Sequence, residues 1–239
     1  MKEVLALKKK LGVIGGMGPE ATSYYLEELI AHTRASTDQE HIDTVILNHA
    51  SLPDRTEAII TGKNNLLTRQ LIEDAQTLEK LGVNNIAIPC NTAHYFYKSI
   101  QKELSIPIIH MVKESVQFAL DNFDYVEQIG IMGTTGTIQS KVYHKECERY
   151  GVEAVVPSTE RQQDLMSLIY DEIKRGLPGD VKKFERVYQD LIDAGSDVVL
   201  LACTELSVFY KENKNYENCL DAMDILIEES IRRSNAVYQ

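Results

Sequence analysis

Short apolar runs alternate with longer segments whose apolar residues recur at helical spacing, along almost the whole chain. The runs predict strands at KLGVIGG (10–16), DTVILNH (43–49), NIAIPC (85–90), IPIIH (106–110), QIGIMG (128–133), EAVVPS (153–158) and DVVLLAC (197–203). PEATSYYLEELIAHTR, with Pro19 at a first helical position, LLTRQLIEDAQTLEKLG, closing on Gly82, and MVKESVQFALDNF predict helices between them. Strands rich in Val and Ile that alternate with amphipathic helices predict an α/β fold of mainly parallel sheets covered on both faces.

The pattern also repeats. GVIGGMGPEATSYY from Gly12 returns as GIMGTTGTIQSKVY from Gly130, with Gly15, Gly18 and Tyr25 matched by Gly133, Gly136 and Tyr143. Cys90 stands 78 residues after Gly12 and Cys203 stands 73 residues after Gly130. Each cysteine ends an apolar run and has a threonine close behind it, which reads as a buried strand delivering a thiol to its carboxyl end. The repeat predicts two lobes of about 100 residues each. The first is expected over residues 1–110, completed by a C-terminal helix within 218–239, and the second over 111–217. Parallel sheets bind ligands beyond the carboxyl ends of their strands. Those ends carry Gly15 to Gly18, Cys90, Gly133 to Thr137 and Cys203, so the four loops are expected to form one site between the lobes.

Composition narrows the classes. Of 239 residues, 44% are hydrophobic and 26% charged, which suits a globular core and not a disordered chain. Lys plus Arg total 25 against 36 Asp plus Glu, a net charge of −11, without a basic stripe, so nucleic acid is not an expected partner. No apolar stretch approaches the roughly 18 residues of a membrane span. The start MKEVLALKKK lacks the apolar run and cleavage site of a signal peptide, so a cytoplasmic location is expected. The cysteines (Cys90, Cys147, Cys203, Cys219) form no CxxC pair and no zinc-ligand spacing appears, so free thiols and no metal are expected. Cys147 and Cys219 read as structural.

GGMGPE resembles a phosphate-binding turn but has neither the GxGxxG spacing nor a Walker lysine. It is either a tight strand-to-helix turn or, with GTTGT opposite, a holder for a small carboxylate through backbone amides and the hydroxyls of Thr134 and Thr137. A cysteine at a strand end with a helix starting just beyond lies in positive potential, which would bring its pKa down toward neutrality. A free cysteine can equally be a small buried hydrophobe. Two thiols at matching positions admit a redox disulfide, a nucleophile with a resolving partner, or two acid/base groups flanking a carbon. A hydrolase would need a base such as His94 or His49 and leaves Cys203 idle. Acid/base work on two faces uses both thiols: one removes a proton, the other delivers one, and the centre inverts.

PCNTAH, ACTEL, GVIGGMGPEAT, LPDRT and IYDEIKRG resemble the cofactor-independent aspartate/glutamate racemase superfamily, most closely its aspartate racemase branch, from about Leu11 to the last helix. The resemblance implies two pseudo-symmetric α/β lobes, an active site in the cleft between them, no pyridoxal phosphate, and a homodimer. It makes Cys90 and Cys203 the catalytic acid/bases, each serving one enantiomer. It places Asn91, Thr92, Thr134 and Thr137 at the α-carboxylate, Thr204 near the amino group, Met17 in the substrate site, and Arg55 with Lys174 at the distal carboxylate. Lys174 can also be read as a solvated helix-end charge beside Arg175. The implied substrate is a small acidic amino acid, aspartate before glutamate. The alternatives are a glutamate or broad-range racemase, a maleate-type isomerase, and a non-catalytic amino-acid-binding protein.

Overall fold

The computed structural model describes residues 8–213 and 216–239. Most of the MKEVLALKKK start and the middle of the YKENKNYEN stretch lie outside the described residues. The chain folds as an α/β protein of two lobes, each built on a parallel sheet. The first sheet has the order β2-β1-β3, from β1 (Leu11–Gly15), β2 (Thr44–Asn48) and β3 (Asn85–Ala87). The second has the order β5-β4-β6-β7, from β4 (Gln128–Gly133), β5 (Glu153–Val155), β6 (Val198–Ala202) and β7 (Cys219–Asp221). In both sheets the strand that leads into a glycine turn lies centrally, with the cysteine-delivering strand beside it. The expected two-lobed α/β architecture is therefore present.

The helices are α1 (Pro19–His32), α2 (Arg55–Thr61), α3 (Asn65–Lys80), α4 (Tyr97–Gln101) and α5 (Met111–Asn122), then α6 (Thr135–Ser140), α7 (Val142–Tyr150), α8 (Thr159–Ser167), α9 (Val181–Asp193), α10 (Thr204–Glu212) and α11 (Ala222–Arg233). Their packing follows the apolar spacing. Phe184, Val187 and Leu191 of α9 recur at helical intervals and are fully buried among the apolar side chains on one face of the second sheet. On the first sheet, α3 supplies Leu67, Leu71, Ala75 and Leu78 to one face, while α1 and α11 cover the other with Tyr25, Leu29, Leu226 and Ile231.

Two elements depart from expectation. Residues 106–110 make a single parallel bridge, Ile86 with Ile108, because Pro107 has no N–H to donate and the chain turns at His110 into α5. β7 was not expected from the pattern. Cys219 to Asp221 were assigned with 218–239 to the first lobe, but they pair with β6 and form the edge of the second sheet. Three residues are too few to show alternation, and Asp221 leaves the strand at once to cap α11, accepting from Met223 N–H at 2.8 Å. The bridge at 106–110 and β7 occupy matching places, each next to the cysteine-delivering strand of its sheet.

Candidate active site

Both cysteines emerge just past a strand end. Ala202, the last residue of β6, pairs with Gly133, so Cys203 lies level with the turn that opens α6. Cys90 follows β3 through Ile88 and Pro89. The loops converge on one narrow, largely buried cavity. The first lobe lines it with Met17, Arg55, Cys90, Asn91 and Thr92. The second contributes Thr134, Lys174, Cys203 and Thr204. Nine of the ten anticipated residues are thus brought together.

Thr137 is the exception. It sits behind the wall, with its Oγ1 2.9 Å from Thr92 Oγ1 and 3.2 Å from Thr134 Oγ1. It orders the two hydroxyls that do face the cavity. The turn at Gly15 to Gly18 also differs from the expected amide cradle, because Gly16 N–H is already satisfied by Thr22 Oγ1 at 2.8 Å. Met17 is the part of that turn that reaches the cavity.

Three further residues complete the walls: Thr56, Tyr170 and Glu205. All lie inside motifs already visible in the sequence, LPDRT, IYDEIKRG and ACTEL, but nothing in residue type alone marked them. Tyr170 lies on a π-helical turn, Leu168–Glu172, a widened backbone that often accompanies functional sites. Its hydroxyl crosses between the lobes and lies 3.1 Å from both Asp54 Oδ2 and Thr56 Oγ1. Thr56 Oγ1 in turn donates to Thr134 Oγ1 at 3.2 Å, and Thr134 Oγ1 is 3.0 Å from Thr92 Oγ1. A chain of hydroxyls therefore ties the lobes across the cavity.

Close approach at this seam depends on Gly136. A Cβ there would fall 2.8 Å from both Cα and Oγ1 of Thr56. No side chain fits between α6 and α2 while the seam is closed.

Arg55 is the most informative charge. It is 9% exposed, its Nε has no hydrogen-bond partner, and its Nη1 donates only to Pro53 O at 3.3 Å. Among the described residues no carboxylate forms an ion pair with it. Burial works against its charge most strongly, but negative charge at Cys90 and then Asp54 prevails and holds the guanidinium above its ordinary pKa. With no carboxylate bonded to it directly, the guanidinium keeps donors free for an anion that enters the cavity. Asn91 has a second free donor. Tyr143 O–H donates to its Oδ1, which leaves Nδ2 buried and unpartnered at the cavity wall.

Lys174 is already paired. Its Nζ is hydrogen-bonded to Glu205 Oε1, and it lies 5.5 Å over the Tyr170 ring. The reading of Lys174 as a solvated helix-end charge does not hold for this closed arrangement. Burial is the largest effect on it and would lower its pKa, but Glu205 and then Cys203 outweigh that and raise it, so it remains an ammonium. Glu205 Oε2 accepts from Cys203 Sγ at 3.0 Å.

The thiol environment reverses one expectation. Cys203 is the N-cap of α10, yet its pKa is well above the ordinary thiol value, first because of burial and then because Glu205 opposes a second negative charge. Burial prevails over the helix dipole and over Lys174. Cys147 and Cys219 are likewise pushed up to about 12 by burial and, like the other two cysteines, are free thiols. The histidines do not serve as a base for Cys90. His94 Nδ1–H donates to Cys90 O at 2.9 Å while Nε2 accepts from Met111 N–H at 3.1 Å, so both nitrogens are occupied with backbone. His49 Nδ1 is 2.8 Å from Asp74 Oδ2, and neither histidine lines the cavity.

Each of the two lobes thus delivers a thiol to one buried cavity. Residues 14–230 match the family described as Asp/Glu/Hydantoin racemase. The chain belongs to that family. Its class is therefore that of the isomerases that racemise amino acids. It is 28% identical over 228 residues to the broad specificity amino-acid racemase RacX of Bacillus subtilis, covering 92% of this chain and 96% of that one. Its fold superposes on Picrophilus torridus aspartate racemase with a TM-score of 0.78 at 26% identity, covering 96% of each chain. An aspartate racemase homologue from Pyrococcus horikoshii gives a TM-score of 0.76 at 25% identity, covering 95% of this chain and 99% of that one. Among the described residues of this family member, no helix is long and apolar enough to cross a membrane, and no group of three or more His, Cys, Asp or Glu side chains is arranged to hold a metal ion.

Proposed function

We propose that this protein racemises an acidic amino acid, aspartate in the first place, by a two-base mechanism in which Cys90 and Cys203 flank the α-carbon. The observation that carries the substrate class is Arg55, a buried guanidinium with an unpartnered Nε in the cavity that holds both thiols. A planar fork of N–H donors matches a carboxylate, and a substrate with a second carboxylate supplies the acceptor that Nε lacks. The small cavity favours a short side chain.

In one direction the thiolate of one cysteine removes the α-proton and the thiol of the other delivers a proton to the opposite face. The α-carbon passes through a carbanion whose charge spreads onto the α-carboxylate. Asn91 Nδ2 and the hydroxyls of Thr92 and Thr134 are the donors that meet it there, and donors fixed in advance in a water-poor site can contribute several kcal/mol. Because burial keeps Cys203 protonated at neutral pH, the resting cleft holds Cys203 as the acid. The enzyme is proposed to work in the cytoplasm as a homodimer.

One observation favours a wider range. Glu205 neutralises Lys174, so the side-chain end of the cavity carries a cation in Arg55 but also a carboxylate within reach of other side chains. The similarity to a broad-specificity racemase accords with this. The deciding experiment is proton NMR of L-aspartate, L-glutamate and a panel of other L-amino acids with the pure protein in deuterium oxide, without additives. Loss of the α-proton signal with growth of the D-enantiomer for aspartate supports the proposal. Exchange confined to neutral or basic amino acids would transfer it to the wider reading, and no exchange with any substrate would refute both.

A further inference from the structure

The two thiols share a cavity but differ in what they touch. Glu205 uses its two oxygens in two directions, with Oε2 on Cys203 Sγ and Oε1 on Lys174 Nζ. Cys203 and Glu205 both line the buried cavity, whereas Glu205 and Lys174 also line a second, wider recess that is open to solvent. Cys203 is not among the residues lining that recess, and neither is Cys90. The recess is roofed by the glycine turn. A Cβ on Gly18 would come within 3.5 Å of Glu205 Oε1 and 3.9 Å of Lys174 Nζ, so the bare backbone leaves room beside the carboxylate. Cys90 has no counterpart. Among the described residues, no hydrogen bond joins Cys90 Sγ to a carboxylate.

Two-base racemisation creates a need for such a route. Each turnover leaves the protein in the other protonation form: a Cys90 thiolate facing a Cys203 thiol becomes a Cys90 thiol facing a Cys203 thiolate. Before the same enantiomer can react again, Cys203 must regain a proton and Cys90 must lose one. A buried thiolate without a relay waits for the cleft to open.

We propose that Glu205 is the proton relay of Cys203, carrying a proton between water in the outer recess and the buried sulfur; this rests on the two-thiol racemase reading above. In the resetting step a hydronium ion in the recess protonates the Glu205 carboxylate. The resulting carboxylic acid then passes its proton to the Cys203 thiolate. The net change at this end is S⁻ plus H⁺ to S–H, with no change of oxidation state and no bond to carbon. The proton balance closes when Cys90 releases its proton to water in the open cleft. Lys174 stays an ammonium throughout and holds Glu205 Oε1 at the boundary between the two spaces. The relay gives the two halves of a symmetric fold unequal access to solvent protons.

The relay is tested by tracer perturbation. An equilibrated mixture of labelled D- and L-aspartate is mixed with a large excess of one unlabelled enantiomer, and the labelled ratio is followed in time. When resetting is fast the label stays at equilibrium; when it limits turnover the label is driven transiently away from it. Glu205→Gln, which preserves shape but cannot carry the proton as a carboxylate does, is expected to show the perturbation at about ten-fold lower aspartate concentration than the wild-type protein. Glu205→Asp is expected to restore the wild-type threshold in part, and added formate to do so for Glu205→Ala. A Glu205→Gln threshold equal to that of the wild-type protein would overturn the relay even if the rate fell. Should Glu205→Gln fold poorly by circular dichroism, a formate-insensitive threshold in Glu205→Ala would overturn it equally. Absence of any α-proton exchange by the wild-type protein would remove the racemase reading and the relay together, whereas exchange with unchanged thresholds would remove the relay alone.

Discussion

The Tyr143 hydroxyl, from α7, donates to Asn91 Oδ1 at 2.5 Å in the buried interior, joining the second lobe to the loop that follows Cys90. That bond decides which end of the Asn91 amide faces the cavity. Burial holds the Tyr143 pKa above its ordinary value, so the hydroxyl keeps its proton and remains a donor. Tyr143→Phe would leave Oδ1 without its donor and allow the amide to turn. The expected outcome is a loss of about ten-fold in kcat with a smaller change in KM, since one fixed donor to a developing charge is withdrawn. Equal kcat in the variant would show that Asn91 is oriented by something else.

Replacing either thiol by hydroxyl tests the two-base assignment. Serine is far less acidic than cysteine, so Cys90→Ser and Cys203→Ser are each expected to lower racemisation at least about a thousand-fold, the range lost when a positioned acid/base group is removed. Circular dichroism should be unchanged, because oxygen is smaller than sulfur and both sites are spacious enough for it. Full activity in either variant refutes the pairing.

Arg55 carries the substrate class and so is expected to separate binding of acidic from neutral amino acids. Charged hydrogen bonds are worth about 1.5–3 kcal/mol, so Arg55→Gln should raise KM for aspartate by about 10- to 100-fold. Stability of the free protein is expected to fall slightly or stay level in the same variant, because nearby negative charge outweighs the burial cost of the guanidinium. Thermal melting alongside kinetics checks both arms, and a rise in KM shared equally by alanine and aspartate would refute the carboxylate role.

At the seam between α2 and α6, Gly136→Ala places a methyl group where Thr56 already stands at 2.8 Å. The lobes must separate slightly, which loosens the hydroxyl chain through Thr56, Thr134 and Thr92. A loss of about 1–3 kcal/mol, typical of overpacking, is expected in stability or in the closed state. Small-angle scattering or hydrogen exchange at Thr134 and Thr92 distinguishes an opened cleft from general unfolding.

Acid should destabilise the fold through two histidines. His94 is buried and neutral, and burial pushes His110 down to about 3, with His94 adding to the effect. Both folded values lie below the unfolded value of about 6.5, so the stabilisation is present above that pH and is lost as pH falls toward the folded values. Each contributes at most about 1.4 kcal/mol per pH unit in that window. Urea unfolding at about pH 7 and about pH 5 should therefore differ by roughly 2 kcal/mol or more. His110 also caps α5 by accepting from Lys113 N–H at 3.1 Å, so His110→Asn, which can cap without titrating, should remove part of the slope. Constant stability across the range would show that neither ring is held neutral.

The sequence revealed the sheet strands best where residues were buried on both faces. β1, β4 and β6 read as apolar runs because their side chains meet helices on either side, whereas Cys219 to Asp221 carry too little pattern to announce a strand. Convergence of Cys90 and Cys203 was legible from the repeat, since equivalent strand ends of two similar lobes face a common cleft. What surrounds each thiol was not. The state of Cys203 depends on Glu205, and Glu205 is aimed by Lys174 from a distant helical turn, a contact no local spacing encodes. Thr137 likewise falls behind the wall because Thr134 and Thr92 occupy the places in front of it.

Mirror-image amino acids have equal free energies in water, so a racemisation runs to equal amounts whatever the protein contributes. The ratio kcat/KM must then be identical for the two hands of the substrate, although Arg55 lies near one thiol and Glu205 touches the other. Any preference created by those unlike neighbours is confined to kcat and KM taken separately, where a tighter grip on one enantiomer is matched by its slower turnover. The two cysteines can therefore stand in different chemical surroundings without biasing where the reaction ends.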